Sequence, residues 1–448
     1  MSHTTRRPTG MRAFLVIWFG QLISMLGSGM TRFALTIWAW QETQSATALA
    51  LVAFFSFAPT VILSPVAGAL VDRWPRKLVM MASDLAAGLS TVVLLVLYAT
   101  GNLEIWHLYV AGAFAASFES FQFPAYSAAI TTMVDKSQYA RTSGMIGMAD
   151  AVSGILTPAL AGLLLVVIGI NGVMLIDIVT FVFAIGTLLF VHIPQPKSSA
   201  TEDEKPSSLW NDSLFGFRYI FQRPSLLGLQ LVFLGVNLAS PLAFTLLPPF
   251  VLTRTDNNSV ALGIVQATLS VGGLAGGLWM STWGGPKQRI HGVLTGMIVS
   301  GLLGITVIGL GRTLPLWVVG AFVTFVAMQV VNASNQAIWQ SKIPPQLQGR
   351  VFSIRRMIAQ ISAPLAVLLA GPLADRLFEP AMMPGGILVG IFGGLVGTGP
   401  GAGMALIFVF MGIFTSLVGL LGYLVSAVRR VEELIPDHTP DAVEQALG

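Results

Sequence analysis

The chain has 448 residues, 54% of them hydrophobic and only 10% charged, with a formal net charge of +4. Soluble domains carry about 25% charged residues, so this composition excludes a water-soluble globular protein and points to a polytopic membrane protein. Cysteine is absent, which excludes disulfides, thiolate metal sites and cysteine nucleophiles; the five histidines show no metal-ligand spacing, no cofactor is called for, and so small a net charge gives no nucleic-acid patch.

The N-terminus carries Arg6, Arg7 and Arg12 before an apolar run from Ala13 to about Trp40. That run is too long for a signal-peptide core of roughly 7–15 residues, and no small-x-small cleavage site follows, so it reads as the first span. A span needs about 20 apolar residues. By that ruler twelve spans follow one another, near 12–39, 47–71, 77–100, 107–133, 143–167, 171–193, 225–252, 258–283, 290–312, 315–341, 351–375 and 403–427. Helices are expected throughout, because lipid offers backbone groups no partners. The fold class is therefore all-α, with two six-helix halves at 1–193 and 225–448.

Between the halves, 194–224 reads as a linker. It opens on Pro194 and Pro196, passes Thr201–Pro206, and ends in a short amphipathic helix over Leu209–Phe221. Segment 382–401 is glycine-rich at both ends with an apolar middle too short to span, so a re-entrant or interfacial turn is expected. Twenty of the 24 Lys and Arg fall on the N-terminal side of this alternation. Arg254, Arg312 and Arg376 fall on the other, and Arg32 lies within a span. That bias predicts cytoplasmic termini in an inner cell membrane.

A weak repeat supports the two halves. Thr132–Arg141 leads to Pro158, and Ser341–Arg350 leads to Pro364, each joining the fourth span of a half to the fifth.

The loop after span two reads Gly68-Ala69-Leu70-Val71-Asp72-Arg73-Trp74-Pro75-Arg76-Lys77. Gly68 permits close helix approach. Asp72 suits the free N–H groups and positive dipole of a helix N-terminus, and one is expected near Arg350. Arg73, Arg76 and Lys77 suit carboxylates or lipid phosphates.

Ionisable groups inside spans are costly and are functional candidates. Glu119 lies about 12 residues into span four, near the midplane. Protonation would make it neutral and cheap to bury, as a proton-coupling group requires; the alternative is a packing role beside a polar neighbour. Asp177 and Arg32 each lie about 9 Å from the outer end at 1.5 Å per residue. They are expected to form an ion pair, either structural or part of a proton relay. Asp84 and Asp150 share a depth near the inner face and are expected to hold loop arginines, with Asp150 also a proton-coupling candidate.

The loop pattern resembles motif A of the major facilitator transporters, with Pro75 where that family has glycine. The resemblance implies a latch that stabilises the outward-open state. Span five has Gly144, then Ser153-Gly154-Ile155-Leu156-Thr157-Pro158-Ala159-Leu160-Ala161-Gly162. It is similar to the antiporter motif C of the same superfamily: Gly144, Pro158 and Gly162 match, Ser153, Thr157 and Ala161 stand in place of motif glycines, and Gly154 belongs to the same segment. Gly20-Gln21 through Gly27-Ser28-Gly29-Met30, and the tail Val428–Glu433, resemble the subgroup of macrolide-efflux and enterobactin-export proteins. The resemblance implies a monomeric secondary transporter, not an enzyme, that exports a lipophilic small molecule against protons across the lipid bilayer.

In this family the path runs between the first and fourth helices of each half. That selects Gln21, Phe33, Phe121, Gln122, Phe123, Tyr126, Asn237, Phe244, Met328, Asn332, Asn335, Gln336 and Trp339. Aromatics with a few amides suit a large, partly apolar ligand. An importer or facilitator on the same fold is the alternative. A polytopic enzyme would need convergent catalytic residues, and no Gly-x-Ser-x-Gly or metal cluster is present.

Overall fold

The computed structural model describes residues 10–71, 74–135, 138–191, 193 and 217–436. Arg6, Arg7, Asp72, Arg73, Lys136 and most of the expected linker lie outside the described residues.

The described residues are helical, with no strand. Ten helices are long and apolar enough to cross a membrane by length and composition. One of them, Arg141–Phe190, is 50 residues long, about twice what a bilayer needs. It breaks at Gly169 (φ 66°, ψ −176°) into two arms. A further helix, Ile105–Met133, has 29 residues but is not among the ten; His107, Glu119 and Gln122 dilute its hydropathy. Among the described residues, counting both arms and this helix gives the twelve passes that the hydropathy pattern predicts; the eleventh runs on to Met382, beyond the expected end at 375.

The chain divides into two compact units. One is Met1–Ala200 with Thr255–Ala267, the other Thr201–Arg254 with Thr268–Gly448.

The first unit holds α1 (Gly10–Thr43), α2 (Ala46–Val71), α3 (Arg76–Ala99), α4 (Ile105–Met133) and α5 (Tyr139–Phe190). α1 lies along both arms of α5, α2 packs on α4, and α3 sits between α4 and α5. Small residues let α1 and α5 close up, as helices in lipid require. Gly20, Gly27 and Gly29 of α1 face Thr187, Thr180 and Thr157 of α5, and none has room for a Cβ. An apolar cluster that includes Ala13, Ile17, Met80, Ala125, Ala129 and Leu188 fills one end.

The second unit holds α6 (Pro224–Thr245), α7 (Leu247–Arg254) and most of α8 (Ser259–Trp283). It continues with α9 (Arg289–Leu310), α10 (Leu314–Lys342), α11 (Pro345–Gln360) and α12 (Ser362–Pro372). α13 (Val389–Val396) and α14 (Ala402–Leu424) follow. α6 packs on α12 and α14, and α9 on α10 and α14. Its core gathers Leu226, Leu229, Val293, Leu294, Met297, Ile338 and Trp339. α9 carries a π-helical turn at Ser300–Ile305 where Gly301 meets α14.

The tail closes one end of this unit. Glu432 accepts a hydrogen bond from the Ile290 N–H at the start of α9 (2.9 Å), and Lys342 donates to the Glu432 carbonyl (2.8 Å). A carboxylate at a helix N-terminus is favoured by the helix dipole.

The glycine-rich segment at 382–401 is anchored at the opposite end. α13 has 8 residues, too few to cross a bilayer. Its C-terminal carbonyls take two of the three arginines expected on the outer side: Arg254 donates to Val396 O (2.9 Å) and Arg312 to Gly394 O (3.1 Å). Glu379 accepts from the N–H groups of Gly401 (3.1 Å) and Met404 (2.9 Å), capping α14.

Candidate functional site

The polar centre of the first unit is Asp84. Eight residues past Arg76 on α3, it lies about 12 Å along the helix, and it is 8% exposed. Gln21 of α1 donates to its Oδ2 at 2.9 Å, and Gln122 of α4 donates to its Oδ1 at 3.0 Å. The Gln122 amide also donates to Gln21 Oε1 at 2.9 Å, closing a triangle of side chains from three helices. This corrects the expectation that Asp84 holds loop arginines. Arg76 donates instead to Ala128 O (2.6 Å), and Lys77 to Leu189 O and Val191 O at the end of α5. Backbone carbonyls at a helix C-terminus attract cations through the dipole. Arg76 and Lys77 therefore tie α3 to α4 and α5 within their own unit.

Asp177, 2% exposed, lies in the glycine seam between α1 and α5. Its carboxylate accepts from Ser28 (2.9 Å) and Thr91 (2.8 Å). The expected ion pair with Arg32 is not formed: Arg32 is exposed, and the two side chains make no salt bridge. Two hydroxyls satisfy the carboxylate from inside the bundle, so the arginine is left at the surface. Glu119 is exposed on α4 and makes no hydrogen bond or ion pair, which removes the packing role beside a polar neighbour. Asp150 is also exposed and without an arginine partner.

The expected cavity residues separate by surroundings. In the first unit Gln21 and Gln122 join Asp84. Phe121 stacks with Trp74 (6.2 Å), Tyr126 with Phe14 (6.4 Å), and Phe123 is 67% exposed. Phe33 is buried in packing. In the second unit Asn332 is exposed, while Asn237 and Met328 are half-buried. Phe244 meets Phe325 and Phe408 edge-on. Trp339 is fully enclosed and Asn335 nearly so, which makes both part of the core instead of a lining.

Sequence reasoning missed Arg355. Its guanidinium donates to Gln336 Oε1 at 2.9 Å and lies over the rings of Trp339 (5.1 Å) and Phe352 (5.8 Å). Arg355 had been counted as one more inner-side basic residue; its neighbour across the helix pair is not visible in a single sequence.

The glycine-and-proline stretch of α5 is a contact surface. A Cβ on Gly162 would lie 2.8 Å from Ser259 O, and Ser259 Oγ donates to Gly162 O at 3.0 Å. Gly263, one turn further along α8, meets Pro158 O. Thr157 faces Gly29 on α1 and lies 3.2 Å from Ser153 Oγ. Gly144 has open space around it. Pro158 and Gly162 thus let the start of α8 pack on α5 backbone to backbone. Gly68 lies on α2, whereas Asp72 and Arg73 fall outside the described residues.

Known proteins resemble this chain along most of its length. Macrolide efflux protein A of Streptococcus pyogenes is 26% identical over 370 residues, covering 81% of this chain and 90% of that protein. The multidrug efflux pump Tap of Mycolicibacterium fortuitum is 29% identical over 390 residues, covering 84% and 91%. Among solved structures, a bacterial homologue of the human lysosomal transporter Spinster superposes with a TM-score of 0.69 at 16% identity, covering 98% of this chain and all of that one. A bacterial homologue of the iron transporter ferroportin gives 0.62 at 15% identity, covering 92% and 98%. These two likenesses bear on the fold alone. The model of the Major Facilitator Superfamily matches residues 17–367, and the chain belongs to that family of transporters.

Proposed function

We propose that the protein exports lipophilic small molecules, macrolide-like drugs among them, in exchange for protons by alternating access. It works as a monomer in the inner cell membrane, with both termini in the cytoplasm and residues 1–193 and 225–448 as its two halves. The observation that carries this reading is the match, over more than four-fifths of the chain, to macrolide and multidrug efflux pumps. The carboxyl groups inside the spans support the proton side of the exchange, because uncompensated acids in a membrane mark ion pathways. Asp84, Glu119, Asp150 and Asp177 are the candidates. Within the first unit exposed Phe123 and half-buried Phe121, and within the second unit exposed Asn332 and half-buried Asn237 and Phe244, have the apolar and amide character that a bulky drug requires.

The test is macrolide accumulation in cells lacking their own exporters. Cells expressing the protein are expected to hold less drug than control cells, and a protonophore is expected to abolish the difference. Greater accumulation in expressing cells would make it an importer. Equal accumulation in expressing cells with and without the protonophore would contradict proton-driven export.

A further inference from the structure

Four acidic groups lie within the spans of the first unit, and their surroundings differ. Glu119 and Asp150 are exposed. Asp177 is held by two hydroxyls in a seam too tight for a Cβ. Asp84 is buried, and its hydrogen-bond partners among the described residues are two neutral amides.

A buried carboxylate is stable when it is paired with a charge; otherwise the cheaper state is the neutral, protonated one. At Asp84 the balance between the two forms rests on dipoles alone. The titratable groups on the helices around it do not reach it. Glu119 and Tyr126 on α4, Asp177 on α5 and Arg32 on α1 make no hydrogen bond or ion pair with Asp84, and Arg76 and Lys77 of its own helix are bonded to backbone carbonyls.

The clamp also suits both forms of the acid. When Asp84 is ionised, both amides present N–H groups to it. Gln122 Oε1 is buried and has no partner in this arrangement. Half a turn of the Gln122 amide presents Oε1 to the O–H of a protonated Asp84; because Gln122 Nε2 also donates to Gln21 Oε1 in this arrangement, Gln21 must turn at the same time and offer its own Nε2 to Gln122 Oε1. Gln21 and Gln122 are themselves only half-buried.

We propose that Asp84 is the carboxyl that takes up and releases the coupled proton, with Gln21 and Gln122 as the clamp that accommodates both its forms. The proposal rests on the export-for-proton reading above and assigns the proton within it. On one side a hydronium gives its proton to a carboxylate oxygen of Asp84, its own O–H bond breaking to leave water; on the other side the Asp84 O–H bond breaks as a water takes the proton and leaves as hydronium. Gln21 and Gln122 act through Asp84 and are positioning residues.

The test uses the full-length protein reconstituted in liposomes, with radiolabelled erythromycin as the probe and an imposed pH gradient. In wild type, the gradient is expected to drive uphill uptake. In Asp84→Asn, driven uptake is expected to fall to the level of protein-free liposomes, while gradient-free exchange of erythromycin persists. Asp84→Glu is expected to retain driven uptake with a displaced pH profile. Infrared difference spectra between acid and alkaline pH provide a readout that needs no substrate. The chain has 20 Asp and Glu, so the readout is the wild-type spectrum minus that of each variant: a protonated-carboxyl C=O component is expected to be missing from Asp84→Asn and present in Asp177→Asn at the same position. Driven uptake that survives Asp84→Asn, or a spectrum of that variant with no such component missing, would overturn the proposal. Equal loss of uptake and exchange in both Asp84 variants would make the residue structural and overturn it too. If wild type shows no driven uptake, the export reading fails, and the infrared band still decides whether Asp84 titrates.

Discussion

Gly27→Ala is the sharpest test of how the first unit is held together. A Cβ at this position would strike Thr180 Oγ1 and lie 3.0 Å from both the Cα and the Oδ1 of Asp177. The Thr180 hydroxyl can rotate away, but the Asp177 Cα is backbone and can move only with α5. Overpacking of this kind costs about 1–3 kcal/mol. The shift also strains the Ser28–Asp177 hydrogen bond of 2.9 Å, and bonds to charged groups contribute about 1.5–3 kcal/mol. Against this, alanine gains about 1 kcal/mol over glycine inside a helix. The net expectation is a loss of about 2–4 kcal/mol. Gly186 on α5 provides the control, because nothing lies within 4 Å of the Cβ it would acquire. Gly186→Ala is expected to stabilise by up to about 1 kcal/mol. Thermal unfolding of the two purified variants in one detergent gives the comparison. If Gly27→Ala melts at or above Gly186→Ala, the close α1–α5 seam described above is wrong.

Three further substitutions probe other parts of the chain. Gly169→Ala is expected to cost about 1–3 kcal/mol, because φ 66° with ψ −176° is a conformation that side chains avoid; a lowered melting midpoint checks it. Glu379→Ala removes the acceptor for Gly401 and Met404 N–H and is expected to cost about 2–4 kcal/mol, with faster hydrogen exchange of those two amides as its signature. Asp72→Asn is expected to impair the transport cycle while leaving substrate binding largely intact, and a loss of binding equal to the loss of transport would contradict a latch role.

Much of the architecture was legible because lipid leaves the chain few choices. Long apolar runs mark the spans, and the ends read from hydropathy lie close to those of α1 through α14. The hinge at Gly169 was visible only as a short gap between two runs at 143–167 and 171–193, since a glycine without a polar loop leaves little trace in hydropathy. Partners across helices were not legible. Asp84 lies on α3, within the third span read from hydropathy, yet its partners Gln21 and Gln122 lie 63 and 38 residues away in the chain. Depth counting alone could have grouped the three, because α1, α3 and α4 carry them at similar levels. Arg32 and Asp177 were matched by that same rule and do not pair. Depth fixes one coordinate, and the rotation of each helix fixes the rest. Likewise Arg254 and Arg312 were counted as outer-side charges, whereas their role in holding the end of α13 depends on carbonyl directions that sequence does not show.

The central claim is that this family member moves a lipophilic drug by exchanging it for protons. The most direct measurement is the proton flux that accompanies macrolide movement in liposomes containing only this protein, followed with an internal pH dye and no imposed gradient. Macrolide added outside is expected to enter down its gradient while protons leave the lumen, with both fluxes absent in protein-free liposomes. Macrolide entry with no accompanying change in internal pH would contradict the account.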